Sequence, residues 1–212
     1  MNKELLKLTE NKLSVWYEEN YDKEWFDRCD SIEYLVNYYT NHRPELFEGK
    51  YKKWFKKTEL VGHGLDLGFT NGRGIYFLSK LYPDCKITAI DFNKNTELIH
   101  NYLKKLIPQI IELRTENCSN LTDEDEKYDF CTSTDFYEHV TEDVYFKSIK
   151  EVWRVLKKEG LFCVYLGKTI LPEHINLRTD YQVFQDMKEN GFKIVSISER
   201  NELLVFKKVD KI

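Results

Sequence analysis

The spacing of apolar positions changes along this chain, and the change divides it in two. From residue 5 to about residue 57, Trp16, Tyr17, Tyr21, Trp25, Phe26, Tyr34, Leu35, Tyr38 and Tyr39 recur at mixed i, i+1 and i+4 spacings, with Pro44 as the only breaker. Such spacing predicts two or three short helices resting on another layer. Beyond Gly62, short apolar runs alternate with amphipathic stretches. Strands are expected at 64–68, 86–91, 110–114, 128–133 and 161–166, and helices at 74–81, 96–106, 142–156 and 179–188, the last closed by a glycine cap at Asn190-Gly191. Strands at 193–198 and 203–206, around a polar turn at 199–201, suit an antiparallel hairpin.

Strands alternating with helices of about ten residues mean βαβ units. The predicted architecture is therefore α/β: a mostly parallel sheet with its last strand antiparallel, preceded by an N-terminal helical cap. The expected division is an aromatic cap or lid at 1–58 and the sheet domain at 59–212. In an open sheet of this kind the ligand crevice lies outside the carboxyl ends of the strands, beside strand one. The residues just after each strand are the ones to inspect for chemistry.

Composition narrows the classes of function. With 212 residues, the chain fits one domain of roughly 150 residues plus an appendage. Charged residues break every apolar run short of the ~18 residues of a membrane span, and the MNKELLKLTE start has no signal-peptide core, so neither is expected. The five cysteines are odd in number and form no CxxC, which suggests neither a disulfide framework nor a zinc site and points to a reducing, cytoplasmic setting. A net charge of -4 disfavours nucleic acid and anionic membranes as partners.

The chemistry begins at Asp66-Leu67-Gly68-Phe69-Thr70-Asn71-Gly72-Arg73-Gly74, which joins the first strand to the first helix of the sheet. Glycine there lets the backbone approach a ligand closely. Asp91 closes the second strand 19 residues beyond Gly72, near the spacing of about 20 expected of a carboxylate that takes a ribose diol. Together they form a nucleoside-ligand signature.

From about Leu65 to Phe206 the chain resembles the class I S-adenosylmethionine-dependent methyltransferases, of the small-molecule, methyltransferase-11-like type. LDLGFTNGRG is similar to the family's first motif, ITAIDFN to its acidic motif and ENCSNL to its adenine loop. KYDFCTSTDFYEHV with EVWRVLKKEGLFCVY resembles its fourth strand, following helix and fifth strand. The resemblance implies a Rossmann-like, seven-stranded sheet with S-adenosylmethionine as cofactor and S-adenosylhomocysteine as product. It implies that Asp66 and the backbone of Gly68, Thr70 and Gly72 hold the methionine end. Asp91 would bind the ribose, Phe92, Asn117 and Cys118 would frame the adenine, and Ser133 would sit near the methyl group. Two departures stand out: Thr70 replaces the middle glycine of the first motif, and Glu159-Gly160 replaces a glycine pair before strand five, with Gly160 expected to supply the positive φ.

On the acceptor side, Asp135 and His139 follow strand four. His139 is the better placed base, because an unperturbed imidazole is available near neutral pH; Asp135 serves either as a helix cap or as a substrate contact. His174 lies in the connection after strand five and should overhang the crevice. Tyr17, Tyr21 and Trp25 of the cap are candidate substrate contacts. No carboxylate and histidine set has a convincing sequence spacing for a metal, so none is expected. Lys50, Lys52, Lys53, Lys56 and Lys57 interleave with Tyr51, Trp54 and Phe55 in one of two ways: as an amphipathic helix with a solvated lysine face, or as an RNA- or protein-binding face. The leading expectation is methyl transfer to oxygen or nitrogen of a small cytoplasmic metabolite, a sugar or phosphorylated intermediate, by a monomer or homodimer. The rivals are an RNA or protein methyltransferase using the face at 50–57, and a non-catalytic partner subunit in which Thr70 has closed the motif.

Overall fold

The computed structural model describes residues 23–41, 44–171, 173–198 and 202–210. Trp16, Tyr17 and Tyr21 lie outside the described residues, as does the polar turn at 199–201. Three helices come first: α1 (Lys23–Arg28), α2 (Ile32–Asn41) and α3 (Pro44–Phe55). Pro44 starts α3 rather than breaking a helix, since its fixed φ and missing N–H suit a first turn.

The sheet follows, with β1 (His63–Leu67), α4 (Arg73–Leu81), β2 (Lys86–Asp91), a 3-10 turn leading into α5 (His100–Leu106), β3 (Ile110–Thr115) and β4 (Tyr128–Thr134). It continues through α6 (Glu142–Val155), β5 (Leu156–Tyr165), α7 (Asp180–Glu189), β6 (Phe192–Ile197) and β7 (Leu204–Lys208). The seven strands lie in the order β3-β2-β1-β4-β5-β7-β6. Strands β1 to β5 pair in parallel, and β7 runs antiparallel to both β5 and β6. This is the expected Rossmann-like class I methyltransferase sheet.

Burial along the strands follows from that order. Central β1 and β4 are buried along most of their length even at polar positions such as Asp66, Thr132 and Ser133, whereas edge strand β6 alternates buried and open residues. One face of the sheet packs against α6 and α7 through Val144, Ile149, Val152, Val183 and Met187. On the other face, Leu35, Tyr39, Tyr51, Trp54 and Phe55 of the N-terminal helices join Ile75 of α4, Leu103 of α5 and the strand residues Ala89 and Phe130 in one apolar cluster. Burying each of these aromatic rings stabilises the fold by roughly 2–3 kcal/mol. The described part of the cap is therefore built into the sheet's own core.

The structure corrects two local expectations. The helix predicted to reach 156 stops at Val155, and Leu156 already pairs with Tyr128 as the first residue of β5. At the second departure from the family pattern it is Glu159, not Gly160, that takes the left-handed backbone (φ 62). Gly160 answers to close approach instead, because a Cβ there would lie 2.9 Å from the Lys157 carbonyl and 3.1 Å from that of Asp129.

Candidate active site

In chain order the strands run outward from β1 through β2 to β3, and the chain then returns to place β4 on the other side of β1. The connections leaving β1 and β4 part at this switch point. Between them opens a cavity of about 260 Å³, lined by Asp66, Gly68, Phe69, Thr70, Asn71, Arg73 and Gly74 on one side and by Thr134, Asp135 and His139 on the other. Tyr38 and Tyr51 of the cap close it.

The β1 turn alternates handedness. Gly68, Thr70 and Gly72 have φ of 74, 44 and 79, so the middle position does demand the left-handed backbone that its missing glycine would supply. A β-branched side chain there stores about 1–2 kcal/mol of strain. The turn holds because its amides are anchored: Gly68 N–H donates to the Ile90 carbonyl at 2.8 Å, and Thr70 N–H donates to Oδ2 of Asp91 at 2.8 Å. Replacing Thr70 with glycine should raise unfolding stability by about 1 kcal/mol without weakening ligand binding, a result read by denaturant titration beside calorimetry. A loss of stability would show that the threonine side chain contributes more than its backbone costs.

Asp91 is buried at the end of β2, and Asn93 N–H donates to its Oδ1 at 2.8 Å. Both carboxylate oxygens thus anchor backbone. Asp66, one strand over, is also buried and accepts from the Thr132 hydroxyl. Burial pushes its carboxyl up to about 7, with the charge of Asp91 adding to the shift and the Thr132 hydrogen bond opposing it.

On the β4 side, Thr134 shares a 2.9 Å hydrogen bond with the Tyr51 hydroxyl, and Asp135 adopts the second left-handed non-glycine backbone in the cavity wall (φ 53). Lys50 reaches Asp135 at 3.7 Å while lying over the rings of Trp54 and Tyr165. The surrounding protein raises the Asp135 carboxyl, although its side chain keeps about half of its surface open to solvent, and Lys50, Arg73 and His174 oppose that shift. Behind them a 3-10 turn (Tyr137–His139) buries Glu138 and brings His139 edge-on to His174, with ring centroids 4.7 Å apart. Burial, then the neighbouring His174, lowers His139 to about 4. It is neutral at physiological pH, but far less basic than the free imidazole the sequence led us to expect.

Of the residues singled out in the sequence, the cavity wall therefore unites Asp66, Gly68, Thr70, Asp135 and His139. Gly72 supports that wall from behind as the cap of α4, where a Cβ would strike Leu103. Asp91 acts on it through Thr70. Phe92, Asn117, Cys118 and Ser133 do not line it. Asn117 is exposed and accepts from Ser119 N–H at 2.9 Å, Cys118 is buried, and the Ser133 hydroxyl is fully buried without a hydrogen-bond partner. His174 is buried behind His139. Trp25 sits inside the cap against Phe26, Tyr34 and Tyr38, so it meets the cavity only through Tyr38. Sequence reasoning missed Tyr38 and Tyr51 as wall residues and Lys50 as the partner of Asp135, since their spacing marks only a helix face. It did not single out Glu138, although its position beside His139 was a usable signal.

Residues 65–164, from β1 to β5, match the family model described as a methyltransferase domain. The chain carries a methyltransferase domain. No curated protein matches it in sequence. Solved structures align over more of its length. A Burkholderia thailandensis 1,6-didemethyltoxoflavin-N1-methyltransferase, holding 1,6-didemethyltoxoflavin and S-adenosylhomocysteine, is 13% identical, with 96% of this chain and 92% of that chain covered and a TM-score of 0.64. A TehB-like S-adenosylmethionine-dependent methyltransferase from Corynebacterium glutamicum is 16% identical, with coverages of 92% and 100% and a TM-score of 0.61. The [4+2]-cyclase SpnF is 15% identical, with coverages of 74% and 78% and a TM-score of 0.60. At these identities the likeness is one of fold. The methyltransferase domain thus shares its sheet with a [4+2]-cyclase, and function must be argued from the site.

Proposed function

We propose that this protein transfers a methyl group from S-adenosylmethionine to an oxygen or nitrogen of a small polar metabolite, a sugar or phosphorylated intermediate. The observation that carries the reading is the single cavity in which the anchored turn after β1 faces Asp135 and His139 after β4. When bound, the cofactor supplies a methyl group on a positively charged sulfur. The residues present fit such a group. Asp66 and Asp135 put two carboxylates into the wall around a cationic ligand, the turn offers backbone amides, and Asp91 places a buried carboxylate at the end of β2, where it would take a ribose diol. Phe92, Asn117 and Cys118 would frame the adenine beyond the cavity, with Ser133 beneath.

The chain's own work is positioning. Transfer from a sulfonium needs acceptor, carbon and sulfur in line with water excluded. Tyr38 and Tyr51 cover the cavity, and the Tyr51–Thr134 hydrogen bond ties the cap to the β4 exit. The described part of the cap thus forms a fixed wall, and we infer that the cap at 1–58 as a whole serves to cover the domain at 59–212, with Tyr17 and Tyr21 as further candidate contacts.

A small acceptor is favoured over RNA by the face at 50–57. There Tyr51, Trp54 and Phe55 are buried in the core, and only lysines such as Lys52 and Lys53 are exposed. Single-stranded nucleic acid needs exposed rings for its bases to stack on, and that face offers none. Among the described residues no helix is long and apolar enough to cross a membrane. All five cysteines are free and buried, in accord with a reducing compartment such as the cytoplasm.

Calorimetric titration with S-adenosylmethionine and S-adenosylhomocysteine tests the reading. Micromolar binding of both, followed by methylation of a member of a sugar and sugar-phosphate panel, is the expected result. A folded protein that binds neither would overturn it in favour of a non-catalytic partner subunit.

A further inference from the structure

At His139, the one residue of its turn that lines the cavity, two segments remote in sequence meet. The turn at Tyr137–His139 and the connection after β5 are stitched together by backbone: Ile175 and Asn176 N–H both donate to the Glu138 carbonyl, at 2.8 and 3.1 Å, and the Asn176 side chain donates to the Tyr137 carbonyl at 3.1 Å. This stitching brings one ligand-type atom from each of Glu138, His139 and His174 within 4.8 Å of the others.

The state of each group suits a cation. Glu138 has no exposed surface. One of its carboxylate oxygens accepts from Gly167 N–H at 2.7 Å, while Oε2 is buried without a hydrogen-bond partner. A buried carboxylate oxygen left so costs several kcal/mol unless a proton or a cation compensates it. His174 places Nδ1 2.6 Å from the Thr169 carbonyl. That bond assigns the hydrogen to Nδ1 and leaves the Nε2 lone pair outward, the arrangement in which a second hydrogen bond orients a metal-binding imidazole. His139 stands perpendicular to it, at 89°. Two imidazoles and a carboxylate thus converge on one point, with the His139 ring held by a hydrogen bond to the Glu173 backbone.

We propose that Glu138, His139 and His174 bind one divalent transition-metal ion of the zinc type beside the cavity, at His139, where it receives an oxygen of the acceptor. Two nitrogens and one oxygen are the donors such ions take, whereas magnesium and calcium favour oxygen alone. Three protein ligands leave a coordination position open, as catalytic rather than structural sites do. His139 is in the cavity wall, so that position faces the space the acceptor enters. A hydroxyl bound there loses its proton to solvent near neutral pH. The acceptor class then narrows to a hydroxyl-bearing molecule. This last step rests on the methyl-transfer reading; the metal site itself does not.

The test uses full-length protein freed of metal by a chelator, titrated with Zn²⁺ against a competing chelator, with Co²⁺ as an optical probe, and no cofactor present. The expected result is one Zn²⁺ per chain and a Co²⁺ spectrum without a thiolate charge-transfer band. Zn²⁺ affinity should fall by about 10-fold or more in both Glu138→Gln and His174→Ala. Glu138→Gln keeps an acceptor for Gly167 N–H, so it guards against simple misfolding, and S-adenosylhomocysteine titration of both variants reports the cofactor pocket separately. No Zn²⁺ binding by the wild-type chain, unchanged affinity in both variants, or a thiolate band pointing to a cysteine would each overturn the site. Zinc binding without cofactor binding would leave the site standing and remove the methyl-transfer reading; the reverse would do the opposite.

Discussion

Asp91→Ala is expected to weaken S-adenosylhomocysteine binding by about 10- to 100-fold and to lower unfolding stability by about 1–3 kcal/mol. Two effects arise because the carboxylate has two duties. Toward the protein it accepts Thr70 N–H and Asn93 N–H, each at 2.8 Å. Losing a charged acceptor leaves both amides unsatisfied and frees a turn that already holds Thr70 at φ 44. Toward the ligand, on the proposed reading, it would accept from two vicinal hydroxyls, worth about 1.5–3 kcal/mol as charge-assisted hydrogen bonds. The two duties separate in Asp91→Asn, which keeps one amide acceptor but loses the charge: stability should largely return while affinity stays low. Calorimetry and thermal unfolding on the same samples decide it. If affinity in Asp91→Ala matched the wild type while stability fell, Asp91 would be a strut of the turn and nothing more.

The same pair of residues shows how far the sequence could be read. That Asp91 ends a strand beside a glycine turn was legible, because strand length and turn chemistry are local. The reversed last strand was legible for the same reason: a polar turn between two short apolar runs permits a hairpin and little else. What was not legible is contact across distance. Nothing in the spacing of Tyr38 and Tyr51 distinguishes a cavity wall from helix core, and both are partly each, since their rings join the apolar layer while Tyr51 reaches Thr134. Glu138 and His174 lie 36 residues apart in sequence, and long-range hydrogen bonds such as those from Ile175 and Asn176 N–H to the Glu138 carbonyl make them neighbours. His139 was readable as a residue after β4 but not as a weakened base, because its pKa is set by burial and by His174. The left-handed backbone at Glu159 rather than Gly160 is a contest between neighbours that composition does not decide. Thr70 and Asp135 are more instructive: two non-glycine residues held at positive φ on opposite walls of one cavity are local violations of the kind that collects at functional sites.

The second large effect is a pH dependence centred on Asp66. Burial raises its carboxyl from 3.8 to about 7 in the free protein, so near neutrality the group is poised between acid and carboxylate. A cationic ligand favours the carboxylate, and binding then releases a proton from protein that was protonated. Affinity for S-adenosylmethionine should therefore rise by up to about tenfold per pH unit as pH climbs toward 7, and level off above it. Stability runs the other way. A carboxyl whose folded pKa lies above its unfolded value contributes stability that is fully present below pH 3.8 and is lost as pH rises through 7, on the order of 4 kcal/mol for a shift of this size. The free protein is thus expected to lose stability from this group over the same range in which it gains affinity. Asp66→Asn should remove both dependences at once, giving a protein more stable than wild type at pH 8 that binds the cofactor weakly at every pH. Calorimetric titrations at pH 6, 7 and 8, set beside melting temperatures of both proteins, measure the two slopes. Equal wild-type affinity at pH 6 and pH 8 would mean that Asp66 does not carry the charge facing the ligand, and Asp135, on the opposite wall, would take that place.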